Sequence, residues 1–278
     1  MRKLVAAFAM VGFLAASPAG AGPFFFSTGN PDGKIGTLSR QASPGKGQTE
    51  TADDFILGQA TSLQSATFVG LLPFGLSGIS GVEIEFYHVF PKDSANPPSG
   101  NVLTRVNSPS DVEIGSATRD SADGSLTFSA AILNDRFTVA NTVVNGINKV
   151  PNQFTGGEGP ATGEEVMFTV TFSVPVDLAA DHYFFRPEVL LSDGNFLWLS
   201  APKPIVAPGT PFVPDLQSWI RNDDLAPDWS RIGTDITHQG PFNAAFSLTG
   251  QTIPEPGTIL LLGMGLAGMA FQRRNRWR

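Results

Sequence analysis

The 278-residue chain is 41% hydrophobic and only 15% charged, with 30 Gly, 22 Pro, 22 Phe, no Cys and a formal charge of −7. Without cysteine there is no disulfide, thiol nucleophile or cysteine-ligated metal or iron–sulfur centre, so a hydrophobic core must hold the fold. Six of the 18 basic residues lie in the two ends while 24 of the 25 acids lie between them. That leaves a body of about −12, which disfavours nucleic acid as a partner.

Arg2 and Lys3 precede an apolar run over residues 4–16 and then Ser17-Pro18-Ala19-Gly20-Ala21. A basic start, a short apolar segment and an Ala-x-Ala site predict a secretory signal peptide over residues 1–21, with Gly22 as the mature N-terminus. The translocon and signal peptidase are the partners this segment requires. Residues 22–50 are rich in Gly, Ser and Pro apart from Phe24-Phe25-Phe26, and read as an N-terminal arm whose aromatic knot docks on the domain.

A β-sandwich domain is expected over residues 51–250. Strand signals run over 51–57 and 63–72, then Val82, Ile84, Phe86, His88 and Phe90 alternate with Glu83, Glu85 and Tyr87. Further strands are predicted over 111–118, 125–133, 136–144, 168–176, 183–191, 196–200 and 243–248. Asp123-Gly124, Asn145-Gly146 and Asp193-Gly194 are turn signals between them. About ten strands with short connections predict an all-β, antiparallel, jelly-roll-like sandwich. Residues 214–232 depart from the pattern and read as a long loop or helical turn.

The chain ends in Pro254-Glu255-Pro256, an uncharged apolar run over 257–271, and Arg273, Arg274, Arg276 and Arg278. Two prolines interrupt any helix, and the run is slightly shorter than the roughly 20 residues of a full bilayer crossing. Arginine snorkelling lets such a segment span, and the positive-inside bias places the basic tail (273–278) in the cytoplasm.

In order, spacing and position this tail resembles the PEP-CTERM sorting signal of bacterial exported proteins, here residues 251–278. The resemblance implies recognition by exosortase, a membrane cysteine protease-transpeptidase. It also implies transit through the inner membrane to the cell surface or extracellular matrix, in association with exopolysaccharide. Ala52-Asp53-Asp54-Phe55 and Phe246-Ser247-Leu248-Thr249-Gly250 look like the opening and ending of β-rich bodies often carried by such proteins. That looser likeness carries no functional residues across.

Within the body, Asp53, Asp54, Asp223 and Asp224 are candidate oxygen ligands for calcium, although no Asp-x-Asp-x-Asp-Gly loop is present. Caps, turns and a solvated acidic surface are the plainer account of them. Trp219 and Trp229 are candidate platforms for sugar rings, and anchoring the 214–232 stretch is their plainer role. His88, His182 and His238 show no short metal-ligand spacing. No Gly-x-Ser-x-Gly, His-Glu-x-x-His or Gly-x-x-x-x-Gly-Lys pattern occurs, and no pair of acids is singled out for glycoside hydrolysis. The sequence reads as a non-catalytic, exosortase-sorted surface protein with no obligatory cofactor. A calcium-assisted carbohydrate-binding module is the alternative, and a secreted glycan-active enzyme ranks below both.

Overall fold

β-branched and aromatic residues repeating with period two pack well on a pleated surface, and each fully buried Phe contributes about 1.5–3 kcal/mol relative to exposure. The computed structural model describes residues 21–75 and 78–254, and Gly22–Ile253 forms one compact unit. In chain order its strands are β1 (Pro23–Ser27), β2 (Ile35–Leu38), β3 (Thr49–Leu57), β4 (Thr61–Leu72) and β5 (Ile79–His88). Next come β6 (Arg119–Asp120), β7 (Leu126–Val139), β8 (Asn141–Val143), β9 (Ala161–Leu178) and β10 (Asp181–Leu191). The last five are β11 (Leu197–Ala201), β12 (Trp219–Asn222), β13 (Ser230–Arg231), β14 (Asn243–Ala244) and β15 (Phe246–Thr252).

The first sheet runs β1-β15-β4-β11-β2-β8, with β9 also on β4, β7 on β9 and β14 on β11. The second runs β13-β12-β3-β10-β5-β6. Ladders are antiparallel except β2–β8, which is parallel, so the expected purely antiparallel arrangement becomes a mixed one. Both sheets contribute to one apolar core. Across it Phe185 of β10 stacks on Phe246 of β15 with centroids 5.0 Å apart, and within the first sheet Phe68 of β4 stacks on its ladder partner Phe168 of β9 at 4.9 Å. Val82, Ile84 and Phe86 point into this core, as their alternation predicts.

Three expectations need correction. Residues 22–50 are not an arm, because β1 pairs with β15 and the whole of β2 is buried between β11 and β8. Residues 214–232 are not merely a loop: β12 pairs with β3 and β13, and a π-helical turn (Ile232–Ile236) follows. Residues 111–118 are irregular with a 3-10 turn at Gly115–Ala117, where Ile114 and Ala117 pack against the end of the core. The predicted signal peptide up to residue 20 lies outside the described residues, as does the span 257–271. Among the described residues no helix is long and apolar enough to cross a membrane.

Candidate functional site

The two ends of the body meet at one corner of the first sheet. The β1–β15 register runs from Pro23–Gln251 to Ser27–Ser247. Just beyond it, the Gly22 amide donates to Thr252 Oγ1 (2.8 Å) and the Thr252 amide donates to the Gly22 carbonyl (2.8 Å). The Ile253 amide donates to the Ala60 carbonyl at 2.7 Å. Gly22 follows the predicted signal-peptide cleavage point, and Pro254, which opens the sorting tripeptide, is exposed. Glu255, Pro256, Arg273, Arg274, Arg276 and Arg278 lie outside the described residues.

The outer face of the second sheet carries a closed ionic layer. Period-two alternation puts Glu83, Glu85 and Tyr87 of β5, Arg186 and Glu188 of β10, Glu50 of β3 and Arg221 of β12 on this face, away from the apolar core. The register sets Arg186 opposite Glu85, Glu188 opposite Glu83, and Arg221 opposite Glu50. Arg186 pairs with Glu85, with Glu188 (2.6 Å) and more loosely with Glu50 (3.5 Å). Arg221 pairs with Glu50 and its Nη2 donates to the Tyr87 hydroxyl at 3.2 Å. That hydroxyl lies 2.7 Å from Glu50 Oε1 and 2.5 Å from Glu85 Oε2, so its single proton serves one carboxylate at a time.

Four glutamates face two arginines here, and the protein answers with shifted pKa values. Burial pushes Glu188 up to about 8, reinforced by Glu50, Glu83 and Glu85 and opposed by Arg186. Glu83 is also raised, again by burial first. For Glu50, burial is outweighed by Arg221 and Arg186, which hold it below the usual carboxylate range. Charges taken out of water need partners of this quality. The lid is irregular chain: Arg221 donates to the Asp111 carbonyl at 2.9 Å, and Arg105 within the lid pairs with Asp111 and with Asp228 (2.8 Å).

Trp219 and Trp229 belong to this layer, each about 1% exposed. Trp229 lies edge-on to Tyr87 (5.5 Å), beneath the Arg221 guanidinium (4.3 Å), and donates its indole N–H to the Ser110 carbonyl at 3.3 Å. Neither indole presents a face to solvent, which corrects the platform expectation; anchoring is what both do.

The aspartate candidates separate. Asp53 is wholly buried and accepts from the Ser218 hydroxyl (3.0 Å) and the Ala244 amide (2.9 Å). Asp54 accepts from the Leu216 amide and lies 2.7 Å from His182 Nε2. Burial raises both carboxyls above the usual range. Asp223 caps the Gln48 amide at 3.1 Å. Because Trp219 pairs with Ala52 and Asn222 with Thr49, Asp223 and Asp224 sit about five strand positions from Asp53, on the order of 16 Å. The four do not converge, and no cluster of three ligating side chains occurs among the described residues. His88 contacts Asp93 and Asp181 and is in register with Tyr183, so it lies at the same end of the sheet as His182, which bonds Asp54 instead.

Four of the grooves on the described body are lined respectively by Asp193, Asp235, Glu165 and Asp215 as their only carboxylate. None offers the facing carboxylate pair that glycoside hydrolysis uses. The ionic-layer residues escaped sequence reasoning because Glu83, Glu85 and Tyr87 look like an ordinary solvent face. The legible signal was Arg186 and Glu188 in mid-strand among apolar neighbours.

The model of the PEP-CTERM protein-sorting motif matches residues 252–274, the tail and not the body. No curated protein and no solved structure matches the chain. The motif marks the chain as exported and addressed to exosortase for processing at the membrane toward the cell surface.

Proposed function

We propose that the chain is a non-catalytic surface protein whose jelly-roll-like body is released into, or held at, the exopolysaccharide-bearing extracellular matrix. The signal peptide delivers the N-terminus to the translocon and signal peptidase. The C-terminal span, stopped by Arg273, Arg274, Arg276 and Arg278, holds the other end in the inner membrane until exosortase acts at Pro254-Glu255-Pro256. The observation that carries this reading is the sorting motif starting where the closing strand ends. Cutting after Ile253 would leave β15 intact, with Thr252 still bonded to Gly22. The body would survive processing at both ends.

Fractionation of the native host tests the reading. Full-length chain is expected in the surface and matrix fractions, whereas a chain lacking Pro254–Arg278 accumulates elsewhere. Identical distributions of the two forms would refute it. A second reading, glycan binding by the body, is favoured by a groove among hydroxyl-bearing strands on the first sheet.

A further inference from the structure

The outer face of the first sheet carries an ordered field of hydroxyls. Following the ladders across β7, β9, β4, β15 and β1, one row reads Ser129, Thr169, Thr67, Ser247 and Ser27. The adjacent row reads Thr127, Thr171, Ser65, Thr249 and Phe25. Nine of these ten positions are Ser or Thr and the tenth is an aromatic ring 58% exposed. None is charged, although the body as a whole carries about −12. Their inward neighbours Phe128, Val170, Ala66, Leu248 and Phe26 belong to the core, so the rows are fixed to a rigid floor.

Beside the rows Val69, Met167 and Ala245 add apolar side chains to the same face and line a groove of about 460 Å³, together with Thr67 and Ser247 of the hydroxyl row, Phe25 and a single carboxylate, Glu165. Neighbouring strands set the hydroxyls about 4.8 Å apart, and successive rows lie about 7 Å apart. The Ser65–Thr249 and Thr67–Ser247 hydroxyls bond in pairs at 2.5 and 2.6 Å, and each hydroxyl oxygen keeps capacity for a further hydrogen bond.

The chemistry of the occupant follows by comparison. A protein partner would ask for aromatic or Arg anchors in desolvated pockets, and nucleic acid for cationic side chains. A neutral polysaccharide offers repeated hydroxyls that both donate and accept, plus C–H faces that lie on aromatic and apolar side chains. Single hydroxyl contacts are weak because water competes for them, so a repeating partner that engages several at once is needed. We infer that this face, from Thr127 and Ser129 across to Phe25, is the docking surface for an extended neutral polysaccharide lying along the groove. The inference rests on the matrix-association reading and names its ligand class and contact surface.

The test is retention of the full-length chain, in a polyoxyethylene detergent, on two insoluble neutral probes, microcrystalline cellulose and chitin. Wild type is expected to be retained on at least one. Thr169→Val with Thr171→Val preserves shape and removes two hydroxyls, and is expected to weaken retention about tenfold with an unchanged thermal midpoint. A second variant, Thr127→Lys with Thr171→Lys, alters only exposed positions and is expected to abolish retention. Undiminished retention in both folded variants would overturn the assigned face while leaving glycan association standing. Retention on neither neutral probe but on a third, immobilised anionic alginate, would do the same. No retention on any polymer, or adsorption to ice alone, would overturn both the face and glycan association, whereas exosortase sorting is judged separately by the fractionation above.

Discussion

The outer faces of the two sheets are opposites in a way that residue polarity alone would reverse. On the second sheet Arg186, Glu188, Glu85 and Glu50 are buried. On the first sheet Thr127, Ser129 and Thr171 are exposed, and neither hydroxyl row carries a charge. Period-two alternation produced both faces; the difference is what crosses over them. The segments around Arg105–Asp111 and Leu225–Trp229 close the second face, as the bonds from Arg221 to the Asp111 carbonyl and from Trp229 to the Ser110 carbonyl record. Once covered, its charges must pair or take up protons. An open face has no such obligation, so its run of small neutral hydroxyls is a choice of surface rather than a requirement of folding.

The contrast is broken most severely at Arg186. Its side chain is about 1% exposed and contacts Glu85, Glu188, Glu50 and, at 3.8 Å, Glu83. Arg186→Met leaves those carboxylates facing one another and is expected to cost about 3–5 kcal/mol in denaturant unfolding. A loss under about 1 kcal/mol would mean that the layer is not closed to water. Trp229→Ala comes next, at about 3 kcal/mol, because it removes a large buried ring and strands the Ser110 carbonyl. It should leave polymer retention unchanged wherever the variant is folded. Loss of retention with an intact thermal midpoint would return Trp229 to the role of ligand platform.

What the sequence disclosed tracks what is local. The tail was readable because its chemistry is contiguous: a tripeptide, an apolar run and a basic stop need no folding partner to be recognised. The strand over Val82–Phe86 was readable because alternation is a property of the segment. Residues 22–50 do not read as strands because β1 and β2 are short and set among Gly, Ser and Pro. They become strands only through partners some 160 to 220 positions away, β11 and β15. Trp219 and Trp229 looked exposed because their sequence neighbours are polar, yet those neighbours, Arg221 and Asp228, are buried in ion pairs. The hydroxyl field had the same obstacle: Thr127-x-Ser129, Ser65-x-Thr67, Thr169-x-Thr171 and Ser247-x-Thr249 are unremarkable singly and become two rows only through register.

The finest test of the contrast is protonation at Glu188. Its carboxyl titrates near 8 in the folded chain, pushed there by burial first, against an ordinary value of 4.5. Between those two values the folded state holds a proton that the unfolded state has released. The stabilisation is therefore complete below about pH 4.5, declines as pH rises, and is gone above 8. Asp53, Asp54 and Glu83 are raised and act in the same sense. Glu50 is lowered, so its contribution is lost only as pH falls below the ordinary carboxylate range. Glu188→Gln keeps the shape and a neutral acceptor for Gln48 Nε2, which lies 3.2 Å from Glu188. It is expected to change stability at pH 5 by less than about 1 kcal/mol and to flatten the decline between pH 5 and 8. Urea midpoints at the two pH values give the answer. A decline as steep in the variant as in the wild type would mean that Glu188 is ionised throughout, and that the covered face holds its four carboxylates as charges rather than as proton carriers.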